Sequence, residues 1–504
     1  METSTDAVWV GPVVMTVATL TLSVVISGVV LLQKPSKLVR TKLAPPSSQH
    51  RLVVQRLLDN ITARENVKGR GMRVVLLAVG TRGDVQPCLA LAIRLKDRGH
   101  FPLIISAKEF KTLIEINGIE CATIQSETIE HPDGWDAFPS SSELLAAAYQ
   151  APKNKGEWKA NGDRIFDHCC RFQPDLILTT HFGELFAGDI AEKMNVPWWG
   201  LRVSPDIPSS SIVSSLFATS SYAWVNSVRN IWQKASIGFV FWRGGILDEL
   251  SQFRTRTLGL PPISTREKRA QNECTPLLLG FSPSIIEPPV DTKSWHVATG
   301  FWLLNSLNGW KPNKALRAFF EKPGKYAPLC IDFGSNQSKD FIERCVRAVR
   351  ALRKRAVVRT SLNFRSRSND VLYVSDVPHI WLLPRCSVVI HHGGAGTTGR
   401  ILASGVPSIV IPHLQWTDQS LWAEKIESLG VGVHVQRENP GVSTIQAAVE
   451  TILENYISYT RAAKLTQEMI HLECQNSLDA TVDLIESPLR HWAPEVALTP
   501  GRCP

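Results

Sequence analysis

The sequence predicts an α/β protein made of two doubly wound parallel-sheet domains facing across a cleft, with a transmembrane helix ahead of them. Three observations predict this. A continuous apolar run that closes on a glycine turn and leads into a helical pattern occurs twice, from Arg73 and again from Leu329. A later apolar run ends in a much denser glycine turn around Gly393, Gly394 and Gly396. The N-terminal region holds an uncharged stretch, Ala7 to Leu32, long enough to cross a bilayer.

Size and composition agree. At roughly 150 residues per domain, 504 residues suit about three domains, or two large ones with extensions. Hydrophobic residues make up 44% and charged residues 20%, which excludes a disordered, collagenous or polytopic membrane protein. The 55 basic and 46 acidic residues leave a net +9, spread thinly and without a basic block interleaved with aromatics, so nucleic acid is not an expected partner. The ten cysteines are scattered from Cys88 to Cys503 without CxxC pairs, as in a reducing compartment, and no metal-ligand spacing is present.

Taken in order, residues 1–33 read as an uncleaved membrane anchor. As a helix the 26 residues from Ala7 to Leu32 span ~39 Å against a hydrocarbon core of roughly 30 Å, and Glu2 and Asp6 stand where a signal peptide would be basic. Lys34, Lys37, Arg40 and Lys42 follow at once, which places the remainder on the cytosolic face of a membrane such as the endoplasmic reticulum. Residues 34–70 form a basic juxtamembrane linker containing Pro45-Pro46-Ser47-Ser48. The first α/β domain, 71–310, opens with the strand from Arg73 to Val79, closed by Gly80, and a helix around Leu89 to Leu95. Further strands are expected at 101–106, 175–179, 197–201 and 277–279. A linker, 311–328, precedes the second α/β domain, 329–470, which repeats the scheme with LCIDFGSN and a helix whose apolar positions include Phe341, Val346 and Val349. Its later strands are expected at 356–359, 371–373, 387–390 and 408–411, and residues 471–504 form a C-terminal helix and tail.

The densest chemistry lies in SVVIHHGGAGTTGRILASGVPSIVIP, Ser387 to Pro412. Glycines at 393, 394 and 396 permit close approach of backbone N–H groups, the following helix N-terminus adds partial positive charge, and Thr397 and Thr398 add hydroxyls. Diphosphate is the natural guest. Gly394-Ala-Gly396-Thr-Thr-Gly399 also satisfies GxGxxG, with Asp418 about 20 residues on, but the position late in the chain and the two histidines ending the strand argue against a nicotinamide site.

Together these residues resemble the sterol and lipid-aglycone branch of the UDP-dependent nucleotide-sugar glycosyltransferases, family 1, of GT-B fold. The matching motifs are collinear: GTRGDVQP (Gly80 to Pro87), LGLPP (Leu258 to Pro262), DVPHIWLLP (Asp376 to Pro384), HHGGAGTT (His391 to Thr398), and a TDQ segment followed by LWAEKI. The resemblance covers about Met72 to His471. It implies two Rossmann-like domains, an inverting transfer of a hexose, glucose from UDP-glucose, to a hydroxyl or carboxyl of a lipophilic acceptor, and no cofactor beyond the co-substrate.

Residue by residue, His392 looks like the histidine on the donor diphosphate, with His391 sharing the task and Gly394, Gly396 and Thr397 completing the cradle. Val377 and His379 resemble the stretch that holds the donor base, and Trp381 an aromatic near it, although core packing explains Trp381 equally. Asp418 and Gln419 resemble the pair that bonds the sugar hydroxyls, with helix capping as the alternative. Ser335 and Asn336 resemble a loop near the phosphates, where a plain β-turn serves nearly as well. Asp84 is the candidate base, taking the acceptor proton, unless it merely caps the helix after it. The catalytic pair is thus Asp84 and His392, with leaving-group charge met by the helix N-terminus and no metal required.

The sequence departs from the sterol branch at Gln415-Trp416-Thr417-Asp418-Gln419 and at Arg400, which leaves the sugar and nucleotide open to a deoxygenated or other donor. In the segment from Phe217 to Phe253, the aromatics Phe217, Tyr222, Trp224, Trp232, Phe239, Phe241 and Trp242 either line an acceptor pocket for a sterol, terpenoid or polyketide or fill core. The short N-terminal anchor leans towards secondary-metabolite biosynthesis. A catalytically silent nucleotide-sugar-binding membrane subunit is the alternative from another class.

Overall fold

The computed structural model describes residues 71–125, 156–205, 245–264, 268, 272, 275–289, 292–305, 307, 309–334, 337–364, 368–375, 377–413, 418–436 and 440–487. The expected anchor and basic linker, 1–70, lie outside these residues. So do Ser335, Asn336, residues 414–417 and the aromatics from Phe217 to Trp242. Among the described residues no helix is long and apolar enough to cross a membrane.

Two wholly parallel sheets carry the fold. The first contains β1 (Arg73–Ala78), β2 (Phe101–Ala107), β3 (Glu120–Ile124), β4 (Leu176–Thr179), β5 (Trp198–Arg202), β6 (Leu277–Leu279) and β7 (His296–Ala298), in the order β3-β2-β1-β4-β5-β6-β7. The second contains β8 (Leu329–Asp332), β9 (Ala356–Arg359), β10 (Val371–Val374), β11 (Val389–His391), β12 (Ser408–Val410) and β13 (Gly432–His434), in the order β10-β9-β8-β11-β12-β13. Central strands such as VVLLA and LCID are buried along their length, because helices cover both faces of a parallel sheet and leave no polar side to alternate with.

In each sheet the strand order reverses beside the opening strand, between β1 and β4 and between β8 and β11. Outside the carboxyl ends of strands at such a reversal, two connections leave in opposite directions and open a crevice, the usual seat of a ligand. The residues just beyond β1 and β4 are Gly80 to Asp84 and Thr180-His181, and those beyond β8 and β11 are Phe333-Gly334 and His392 to Gly394.

The helices that position the site are α1 (Arg82–Asp97), α2 (Lys314–Glu321), α3 (Lys339–Ala351), α4 (Ala395–Ser404), α5 (Gln419–Ser428), α6 (Tyr456–Cys474) and α7 (Ser477–Glu486). The span read as a linker carries α2, capped by Asn313 and packed through Leu316 and Phe319 against Cys330 and Val357 of the second sheet. The C-terminal helix is not peripheral. Its Val482, Leu484 and Ile485 join the first domain's core with Leu89, Leu91 and Trp302, and Arg98, just past the end of α1, pairs with Asp483 at 2.8 Å. Between the domains, Leu279 and Phe281 share a cluster with Leu402, Trp422 and Ile470.

Candidate active site

Asp84 sits in the first turn of α1, whose N-cap is Thr81. Its Oδ2 accepts from Thr81 N at 2.8 Å and Thr81 Oγ1 at 3.2 Å, while Thr81 Oγ1 accepts from Gly83 N, a reciprocal capping box. The capping geometry is therefore real, and it commits only one carboxylate oxygen. Asp84 Oδ1 has no hydrogen bond among the described residues. Burial raises the Asp84 carboxyl above its ordinary value, against the pull of Thr81 and of His181 nearby. His181 follows β4, where Thr180 Oγ1 takes the Val79 N–H at 3.1 Å and ties the ends of β1 and β4 together. The strand order, which sets β4 beside β1, is what brings His181 towards Asp84.

Pro87 lies inside α1 and has no N–H, so the Gly83 carbonyl is left without its helical donor. That carbonyl looks across the cleft. A Cβ built on Gly396 would stand 3.9 Å from both Gly83 O and Gly83 Cα, which brings the Asp84 loop and the second domain's glycine turn face to face.

In the second domain β11 ends at His391, and α4 starts after Gly394. Gly393 has φ +92°, and a Cβ there would meet Gln419 O at 2.8 Å and Val410 Cγ1 at 2.9 Å. Only glycine fits, and the fit seats the start of α5 against the turn. Asp418 does not cap α5 through its side chain; its Oδ2 accepts from the Trp422 indole at 3.0 Å. Gln419 is buried and its Oε1 accepts from His413 N at 2.8 Å. Both sequence-predicted sugar-binding residues are thus brought to the glycine turn.

The two histidines differ. His391 is fully buried and its Nδ1 accepts from Gly393 N at 3.2 Å, so it holds the turn rather than lining the cleft. His392 is nearly as buried, and Nδ1 has no partner among the described residues. A Cβ on Gly394 would lie 2.5 Å from His392 Nε2, and one on Gly334 would lie 3.1 Å from its Cε1, so the imidazole stands between the two glycine turns. Burial pushes both pKa values down, to about 3 for His391 and about 4 for His392. Both are neutral at pH 7, and His392 offers a ring N–H as a neutral donor.

Trp381 is partly buried against the core. Its ring packs on Trp310 at 5.4 Å and Phe320 at 5.5 Å, with the Arg385 guanidinium 4.6 Å from its centroid. Phe253, which closes the aromatic segment, is core: it is fully buried, packs edge-on against Phe186 at 5.9 Å and abuts Gly162. Arg400 on α4 donates to Leu304 O and Asn305 Oδ1, both at 2.8 Å, fastening the glycine turn's helix to the interdomain connection.

A group that sequence reasoning passed over lies at the end of β8. Asp332 is buried and takes Arg359 Nη1 at 3.4 Å, Gly334 N at 2.9 Å and His379 Nε2. Arg359 and His379 hold its carboxyl far below the usual range despite burial. Arg359 Nε also donates to Val377 O at 3.1 Å. A carboxylate ending an otherwise apolar strand was the signal available in LCIDFGSN. Among the described residues no group of three or more His, Cys, Asp or Glu is disposed to hold a metal ion.

Two doubly wound parallel sheets meeting at their switch points, one bearing a carboxylate loop and the other a histidine-glycine turn on a helix N-terminus, define the GT-B glycosyltransferase fold. Solved structures share it: the calicheamicin glycosyltransferase CalG4 (TM-score 0.57, 18% identical, covering 85% of this chain and 100% of that one), and the Streptomyces sp. SF2575 glycosyltransferase SsfS6 complexed with thymidine diphosphate (TM-score 0.51, 19% identical, covering 83% and 100%). Residues 74–157 match the glycosyltransferase family 28 N-terminal domain, and residues 358–478 match the erythromycin biosynthesis protein CIII-like C-terminal domain. Curated relatives include the sterol 3-beta-glucosyltransferases of Neurospora crassa (27% identical, covering 82% of this chain and 27% of that one) and Saccharomyces cerevisiae (28% identical, covering 78% and 33%). The chain spans about a quarter to a third of the length of these relatives.

Proposed function

We propose that the protein is an inverting glycosyltransferase that moves a hexose, glucose from UDP-glucose, onto a hydroxyl of a sterol or similar lipophilic acceptor. The observation that carries this is the facing of the Asp84 loop and the Gly393–Gly396 turn, with Gly83 and Gly396 in near contact across the cleft. The similarity to sterol 3-beta-glucosyltransferases supports the acceptor class.

In this reading Asp84 Oδ1 accepts the proton of the acceptor hydroxyl, the freed oxygen attacks the anomeric carbon, and the bond from that carbon to the diphosphate oxygen breaks. Burial of Asp84 favours the neutral acid and so strengthens the carboxylate as a base. The diphosphate leaves with the electron pair and its charge is met by the first N–H groups of α4 and by a ring N–H of His392. Asp418 and Gln419 stand beside the same turn, where sugar hydroxyls would lie. We infer that no divalent ion is needed, since the helix N-terminus supplies the charge; transfer that survives chelation would agree.

The 7–32 stretch serves as a cytosol-facing anchor in this reading, bringing the cleft to acceptors that partition into the bilayer. The test is incubation of the full chain in detergent with a panel of nucleotide sugars and pooled sterols and cyclic terpenoids, reading new glycoside masses. Product from wild type and none from Asp84→Asn supports the reading. Failure to bind any nucleotide sugar refutes it, and binding without transfer to any acceptor favours the silent subunit.

A further inference from the structure

Arg400 carries its charge on α4 five residues beyond Ala395, about 7.5 Å along the helix axis. Side chains on a helix lean towards its N-terminus, so this one starts out in the direction of the glycine turn. Its guanidinium is held by two neutral oxygens, Leu304 O and Asn305 Oδ1. Among the described residues no carboxylate pairs with it. The buried arginines elsewhere are treated differently: Arg202 faces Glu184, Arg254 faces Asp189 and Glu192, and Arg359 faces Asp332. Partial burial pulls the Arg400 pKa down to about 10, so the group is still a cation at pH 7. Its charge reaches His379, after β10, and helps to lower the pKa there.

We propose that Arg400 is a charge-supplying residue that acts at a distance: having no carboxylate of its own, it adds an uncancelled positive field to that of the α4 N-terminus and so favours nucleoside diphosphates over the uncharged nucleosides. This rests on the reading of the Gly393–Gly396 turn as the seat of the diphosphate. An aspartate at 305 would hold the guanidinium more firmly than the asparagine does, and would cancel its charge. Neutral oxygens fix the group and leave the field intact. The size is considerable, because one unit charge acting on a doubly charged diphosphate over about 10 Å, through an effective dielectric of about 40, changes affinity by roughly tenfold. Arg400 touches no phosphate in this account, and the sequence departure at this position thus bears on electrostatics rather than on contact.

The experiment is calorimetric titration of the full chain in detergent with UDP and, by displacement, with uridine. Asn305→Asp places a carboxylate where Oδ1 already accepts from Arg400, at an exposed position. It should melt at or above the wild-type temperature, yet bind UDP about tenfold more weakly with uridine unchanged. Arg400→Gln should lose UDP affinity by a similar factor, and Arg400→Lys, which keeps the charge, should hold the UDP-to-uridine ratio within about threefold of wild type. If Arg400→Gln does not fold, Asn305→Asp decides. A merely fastening role predicts the reverse. UDP binding by Asn305→Asp that equals or exceeds wild type, or loss of UDP and uridine affinity in equal proportion in the Arg400 variants, overturns the proposal alone. A wild type that binds UDP no more tightly than uridine overturns the diphosphate reading on which it rests.

Discussion

Alanine at Gly393 and at Gly396 should have opposite effects on folding, although the two glycines lie three residues apart in one turn. At Gly393 the backbone has φ +92°, and the added methyl would stand 2.8 Å from Gln419 O, a backbone atom that cannot swing away. The left-handed conformation costs roughly 1–2 kcal/mol and the overpacking roughly 1–3. The sum, about 2–5 kcal/mol, is a large part of the stability of an ordinary domain and should lower the melting temperature by about 4–10 °C. At Gly396, inside the first turn of α4, nothing lies closer than 3.9 Å to the new methyl. Alanine there improves helix propensity and should stabilise by about 0.5–1 kcal/mol. The same methyl projects into the cradle where the diphosphate is expected, so UDP affinity should fall by about tenfold in the variant that melts higher. Differential scanning calorimetry with and without UDP reads both quantities. A Gly393→Ala protein that melts like wild type, or a Gly396→Ala protein that melts lower, would refute the account of the turn. A stable Gly396→Ala protein with undiminished UDP affinity would refute its role as the cradle.

Other outcomes follow from the same geometry. Asp84→Asn keeps an oxygen for Thr81 and should hold stability to within about 1 kcal/mol, while kcat falls by about 10²–10⁴ if Oδ1 is the base. Because the carboxylate is the active form and its pKa is raised, the rate should decline as pH drops, starting above the ordinary carboxylate range, in a pH-rate profile. Folding should weaken as pH falls from about 6.5 towards 4, since the unfolded chain binds protons that His391 and His392, with folded values of about 3 and about 4, refuse; urea titrations at both pH values test this. Asp332→Ala leaves the Arg359 cation buried without its carboxylate and should cost about 3–5 kcal/mol in the same titration. Truncation before Ser477 removes Val482, Leu484 and Ile485 from the first domain's core, roughly 5–8 kcal/mol of apolar burial, and should split or abolish the single melting transition.

Much of this was legible because the strands that build the switch points are long, apolar and closed by glycine. VVLLA and LCID announce themselves through burial on both faces, and each leads to a helix with a regular apolar stripe. The strands that escaped notice are of another kind. β7 (His296–Ala298) and β13 (Gly432–His434) have three residues each, too few for any periodicity, and β3 (Glu120–Ile124) lies at a sheet edge with a mixed ECATI pattern. The site was legible where chemistry and local spacing coincide, as in the histidine-glycine turn. It was illegible where residues remote in sequence converge: nothing local to Asp332 points to Arg359 and His379, and nothing local to Trp381 points to Trp310. Asp84 shows a third case: the cap uses one carboxylate oxygen, so capping by itself does not exclude the base.

The chain passes between the domains twice, once near Leu304 and again where α6 gives way to α7 on the first domain. A body hung from one point can swivel in every direction; a body hung from two can only swing about the line that joins them. Any relative motion of the two domains is thereby confined to a swing, with sideways slip suppressed. The two connections thus preserve the register between Gly83 and Gly396, and alignment of the two halves of the site is set by the chain itself rather than by whatever lies between them.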